Sequence, residues 1–192
     1  MVTPLNKVAV ARRQLATAID LFFAGRDAVS IYSLATNAWE VIDVLCCKAA
    51  IKSLSAQTRK NVLEGKDLKR DYINSPYRNF FKHADEDADR TLESLPDTEV
   101  EAVLFLAVED YIRLNRQSPV QLQVYQLWYL AKYPDKLDPT VAAEHLDVVN
   151  QCFPNLSLLP RDEQLALGVR MLAHVAENRV LCEDPRTEPA FD

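Results

Sequence analysis

Arg78, Asn79 and His83 are the residues of this chain whose types and spacing could do chemistry together. Asn79 and His83 stand four apart, so any helix that carries both puts them on one face, and the long Arg78 side chain can fold back toward the same region. Just upstream, Ser75-Pro76 pairs a capping hydroxyl with a proline suited to the first helical position. Unpaired backbone N–H groups and the positive dipole end at such a helix start favour an anion. A guanidinium, an amide and an imidazole placed there make a phosphate-handling group. An imidazole that titrates near neutrality suits proton transfer, and a planar guanidinium suits phosphate.

The charge reverses at His83. From Arg59 to Lys82 the basic residues Arg59, Lys60, Lys66, Lys69, Arg70, Arg78 and Lys82 outnumber Glu64, Asp67 and Asp71, whereas from Asp85 to Asp110 a run of acids faces only Arg90. Asp85, Glu86, Asp87 and Asp89 follow the histidine at once. They would repel RNA if they faced a site, so a catalytic arrangement must hold them away from it. His83, Asp85 and Asp87 could form a loose divalent-cation site. Asp85-x-Asp87-x-Asp89 begins like a calcium loop, but Arg90 stands where that loop needs glycine and Pro96 where it needs glutamate. No metal and no cofactor is therefore expected. The competing reading of the motif is structural: Asn79 and His83 bond within a helix end, Phe80 and Phe81 fill the core, and Arg78 pairs with Glu40 or Asp43.

The run Arg78-Asn79-Phe80-Phe81-Lys82-His83 resembles the motif of the HEPN family of helical domains, in which an arginine and a polar residue precede a histidine by a few positions. The resemblance covers about residues 5–115 and says nothing of the helices from Ser118 onward. It implies a helical bundle that forms a homodimer and brings two copies of the motif into one cleft, where many members cut RNA without metal. Carried onto this sequence, it implies acid/base chemistry at His83 on a ribose 2′-hydroxyl, phosphate binding at Arg78, and Asn79 in the polar slot. The alternative is a non-catalytic helical protein whose dimerisation or partner surface is its function.

The elements that must position these residues read as helices throughout. Ala28, Ile31, Ala35, Ala38, Ile42, Leu45 and Ala49 recur at spacings of three and four, the stripe of a long helix packed along one face. Val8, Ala11, Leu15, Ile19 and Phe22 form a stripe before it that stops near Gly25, so the two helices are expected as a long antiparallel hairpin. Thr3-Pro4, Ser118-Pro119 and Asp138-Pro139 mark further helix starts, as does the Thr98/Glu101 capping pattern. The last stripe is Leu165, Val169, Leu172 and Ala176. With no period-two alternation, the fold class is all-α, a bundle of about six or seven helices. Residues 1–183 read as one helical domain, with an HEPN-like part over 5–115, C-terminal helices over 118–181, and a flexible tail over 184–192.

A chain of 192 residues, 48% hydrophobic and 26% charged, has the composition of one ordinary globular domain. No run of apolar residues is long enough to span a membrane, and Asp20 interrupts the apolar stretch after Arg12 and Arg13 that could pass for a presequence. The net charge of −6 argues against a surface built wholly for nucleic acid, and no DNA-binding motif is present; RNA remains as a partner. Adjacent Cys46 and Cys47, with isolated Cys152 and Cys182, make neither a disulfide framework nor a zinc spacing, which suits free thiols in a reducing, cytoplasmic setting. His145 and His174 stand alone within helices and read as structural. No glycine-rich phosphate loop or nucleophile elbow occurs.

Overall fold

Side-chain caps open the first three helices. The computed structural model describes residues 5–85, 88–136 and 142–189, with the backbone alone at 142–145. Asn6 Oδ1 accepts the Ala9 N–H at 2.8 Å and opens α1 (Lys7–Phe23); the expected start at Thr3-Pro4 lies outside the described residues, as does that at Asp138-Pro139. α1 ends where Gly25 takes a left-handed φ of +61° and the N–H groups of Gly25 and Arg26 reach back to the carbonyls of Phe22 and Leu21. Asp27 caps α2 (Ala28–Lys48) through the Ser30 N–H, and Ser53 caps α3 (Leu54–Arg59) through the Ala56 N–H. The contacts of the chain group into two compact units, Met1–Ala18 with Asp27–Arg116 and Ile19–Arg26 with Gln117–Asp192.

In the first unit, α3 is followed by a π-helical segment, Leu68–Arg78, interrupted at Ser75, and then by α4 (Asn79–Lys82) and α5 (Asp97–Asn115). α2 packs closely along α5. Small side chains decide this: fully buried Ala35 and Ala38 on α2 and Ala107 on α5 let two backbones approach closely. The buried face of α2 is also wider than the stripe read from the sequence, because Tyr32, Trp39 and Cys46 join it while Leu45 stays half-buried. α5 begins at Asp97 with Pro96 as its boundary residue and without the Thr98/Glu101 capping pair. Glu101 lies fully buried on the face it shares with Leu104 and Val108.

The second unit holds α6 (Val120–Lys132), α7 (Ala142–Cys152), α8 (Arg161–Glu177) and the short, exposed α9 (Arg179–Cys182), and it contains an aromatic cluster. Phe22 and Phe23 meet Tyr125 and Trp128 there, with the Phe22 ring 5.2 Å from Trp128 and 5.3 Å from Tyr125, and the Trp128 indole donates to the Gln164 carbonyl at 2.9 Å. α8 does not bury its expected stripe. Gln164, Gly168 and Val175 face inward, since Gly168 alone lets the Phe23 ring lie against the helix, and Val169 is left 46% exposed. Ser118 is buried but does not cap α6; its backbone pairs with Arg186 and Glu188 in an isolated parallel bridge centred on Thr187, so the segment expected as a loose tail is held to the start of α6 as far as Pro189. Phe191 lies outside the described residues.

Among the described residues the protein is all-α, with nine α-helices and no strand. The count exceeds six or seven because α3, α4 and α9 are each too short to display a periodic stripe. No helix among the described residues is long and apolar enough to cross a membrane.

Candidate functional site

Ser75 has extended backbone angles (φ −104°, ψ 138°) and breaks the helical path, as a residue before proline tends to, and the Ser75-Pro76 peptide is cis. The chain then re-enters a helical turn and sends Arg78 inward, where it is 9% exposed. Its Nη2 pairs with Glu40 Oε2 and lies 3.4 Å from Asn37 Oδ1, and its Nη1 donates to Asn74 Oδ1 at 3.0 Å. Its Nε is closed off from solvent and has no hydrogen-bond partner among the described residues.

Glu40 is shared. Its Oε1 accepts from Lys69 Nζ at 2.5 Å, and that bond, together with the charge of Arg78, holds the carboxyl below its ordinary range. Lys82 joins the cluster by donating to Asn37 Oδ1 at 3.0 Å; partial burial, then the neighbouring charge of Arg78, lowers its ammonium pKa. Three cations, Lys69, Arg78 and Lys82, thus surround one carboxylate, leaving a local surplus of positive charge in an acidic chain. The other carboxylate considered for Arg78 is taken elsewhere, since Asp43 accepts a two-pronged bond from Arg59 at 2.9 and 2.6 Å.

Asn79 and His83 point the other way. Both are exposed, at the two ends of the single turn α4, and the His83 N–H donates to the Asn79 carbonyl at 2.9 Å. The His83 imidazole makes no hydrogen bond or ion pair among the described residues. Burial therefore divides the motif, with Arg78 turned inward and Asn79 and His83 outward. Phe80 and Phe81 are half-buried rather than core: Phe81 meets the buried Tyr32 ring edge-on at 6.1 Å, and the two phenylalanines line a groove of about 430 Å³ with Val29, Thr91, Leu92 and Leu95. Tyr32 in turn fixes the segment by donating its hydroxyl to the Ile73 carbonyl at 2.9 Å.

Asp85 and Asp89 are exposed, and Glu86 and Asp87 lie outside the described residues, so the acid cluster is seen only in part. Among the described residues no group of three or more His, Cys, Asp or Glu side chains is arranged to hold a metal ion. His174 is exposed on α8, and the His145 side chain lies outside the described residues. All four cysteines are free.

One polar group is absent from any reading of the sequence. Asp110, fully buried on α5, accepts the Ser55 hydroxyl at 2.5 Å and the Ser55 N–H at 3.1 Å, while Ser55 accepts the Trp39 indole at 2.8 Å. Burial raises the Asp110 pKa, and these bonds oppose the rise. The Cys46 thiol, pushed up to about 12 by burial and by the charges of Asp110 and Asp43, lies 3.6 Å from the Asp110 carbonyl. The available signal was an acid inside the apolar run of α5, between Ala107 and Tyr111, with a serine pair at Ser53 and Ser55 to receive it. The network ties α2, α3 and α5 together, and its side chains are fully buried. No family model, curated protein or solved structure matches the chain.

Proposed function

We propose that this chain is an HEPN-like, RNA-binding protein of the metal-independent endoribonuclease type, with His83 as its acid/base group. The observation that carries this reading is the exposed, unpaired His83 imidazole one turn from exposed Asn79, beside a cluster in which Lys69, Arg78 and Lys82 outweigh Glu40. Positive charge there attracts a phosphate backbone. A neutral His83 imidazole would take the proton of a ribose 2′-hydroxyl; the freed oxygen attacks the adjacent phosphorus, the 5′ oxygen leaves, and a cyclic 2′,3′-phosphate remains. A proton must reach the departing 5′ oxygen, and in a homodimer the second copy's motif could supply it. Lys82 and Arg78 would stabilise the charge that builds on the phosphate, and Asn79 would orient it.

Purified protein incubated with RNA in EDTA tests this directly. Wild-type protein should release fragments ending in cyclic phosphate, and His83→Ala should lower the rate at least about 100-fold while keeping its helical spectrum. Cleavage unaffected by His83→Ala would refute the assignment.

The alternative, a non-catalytic dimerising protein, has one specific observation in its favour. The stripe of α8 is not wholly buried in the chain's own core, and Val169 stands 46% exposed. A protein that is dimeric in solution yet neither binds nor cuts RNA would decide for that reading.

A further inference from the structure

Glu40 engages Arg78 through Nη2 alone, while Asn74 takes Nη1 and Nε is buried without an acceptor. The Nε/Nη2 edge of a guanidinium is the edge that receives two oxygens of one oxyanion, and here only half of it is used. A buried donor left unmade is costly, so an anion that spans both nitrogens gains a bond that Glu40 does not make. Glu40 can also leave without stranding its own charge, because Lys69 already holds its other oxygen at 2.5 Å. The Glu40 side chain is 32% exposed against 11% for Arg78, so an incoming anion meets the carboxylate first. Lys82, held on the same Asn37 oxygen that Nη2 approaches, supplies a second cation at the point of entry.

We propose that the Glu40 carboxylate is the resident anion of a phosphate position on Arg78, and that a phosphodiester of single-stranded RNA displaces it while Glu40 stays on Lys69. This rests on the RNA reading above and adds to it a residue that the motif does not contain. Glu40 acts as a positioning residue: it keeps Arg78 folded inward in the free protein and gives it up to the substrate.

The test measures binding of a fluorescein-labelled, 2′-O-methyl oligouridylate, which cannot be cleaved, by anisotropy in EDTA. Glu40→Gln should tighten binding about fivefold, since a neutral amide competes poorly for a guanidinium. Glu64→Gln, an exposed acid of the same basic stretch, controls for simple charge removal and should change affinity by less than about twofold. The gain should vanish when Glu40→Gln is combined with Arg78→Lys, because lysine lacks the paired edge. Lys69→Met should weaken binding more than Lys66→Met, because Glu40 then has only Arg78; this comparison stands even where Glu40→Gln lowers stability. Binding by Glu40→Gln no tighter than by Glu64→Gln, a gain that survives Arg78→Lys, or equal losses for Lys69→Met and Lys66→Met would overturn the exchange while leaving RNA binding intact. No binding by any form, wild type included, would overturn both.

Discussion

Gly168→Ala sets helix propensity against packing, and the structure says which wins. In the interior of α8 an alanine is worth about 1 kcal/mol more than glycine by propensity alone. An added Cβ at Gly168, however, would sit 2.1, 2.2 and 2.8 Å from Cδ1, Cε1 and Cγ of Phe23, far inside the 3.5–4.0 Å of ordinary contact. The ring has little room to retreat, being 3% exposed and packed at 5.4 Å from Phe22, 6.0 Å from Tyr125 and 5.8 Å from Trp128. Overpacking costs about 1–3 kcal/mol, and a displacement above an ångström belongs at or beyond the upper end, so the net loss is about 2 kcal/mol. Thermal unfolding followed by circular dichroism should show a Tm lower by about 4–8 °C for a chain of this length. In a Phe23→Leu background the cost of Gly168→Ala should shrink, because the two sites share the clash. A Gly168→Ala variant as stable as wild type, or more stable, would refute the packing argument and leave propensity as the controlling factor.

Two further outcomes follow from the buried groups of the first unit. Burial raises the Asp110 pKa in the folded protein above its unfolded value, so its contribution to stability is fully present below the ordinary aspartate range and is lost as pH rises through the folded value. The stability difference between wild type and Asp110→Asn, read from urea unfolding at stepped pH, should therefore shift toward the variant on going from pH 4 upward; a constant difference would contradict it. The thiols should separate by accessibility: native protein treated with an alkylating reagent is expected to label exposed Cys47 and Cys182, whereas Cys46, buried and pushed up to about 12, should react only after unfolding, with mass spectrometry locating the adducts.

The fold was legible wherever one face of a long helix settled the outcome. α2 keeps its stripe from Ile31 to Ile42, and Asp27 and Gly25 bound their helices as local chemistry requires. What escaped was set by partners distant in sequence. The capping pattern at Thr98/Glu101 misplaced the start of α5, which begins at Asp97 behind Pro96, while position 101 falls on the face that α5 turns inward. Ser118 likewise offers a good cap, but its backbone is drawn into pairing with residues near the C-terminal end of the chain. The α8 stripe failed for a different reason: the residue that packs is a glycine, which hydrophobic periodicity scores as nothing.

The candidate site shows the same division within a single motif. Spacing correctly put Asn79 and His83 one turn apart, and side-chain type correctly marked Glu40 as an acceptor for Arg78. Spacing could not reveal that the guanidinium turns inward, since that depends on Asn37, Glu40 and Asn74 arriving from outside α4. On the RNA reading, this changes what the motif demands of a substrate. A phosphate would not find an open arginine; it must be worth more to Arg78 than the carboxylate already there, and the buried Nε, without a partner among the described residues, favours the exchange alongside Lys69 and Lys82. Histidine and arginine thus need not be exposed together for the motif to work together, provided that the ligand which reaches His83 first also draws Arg78 away from Glu40.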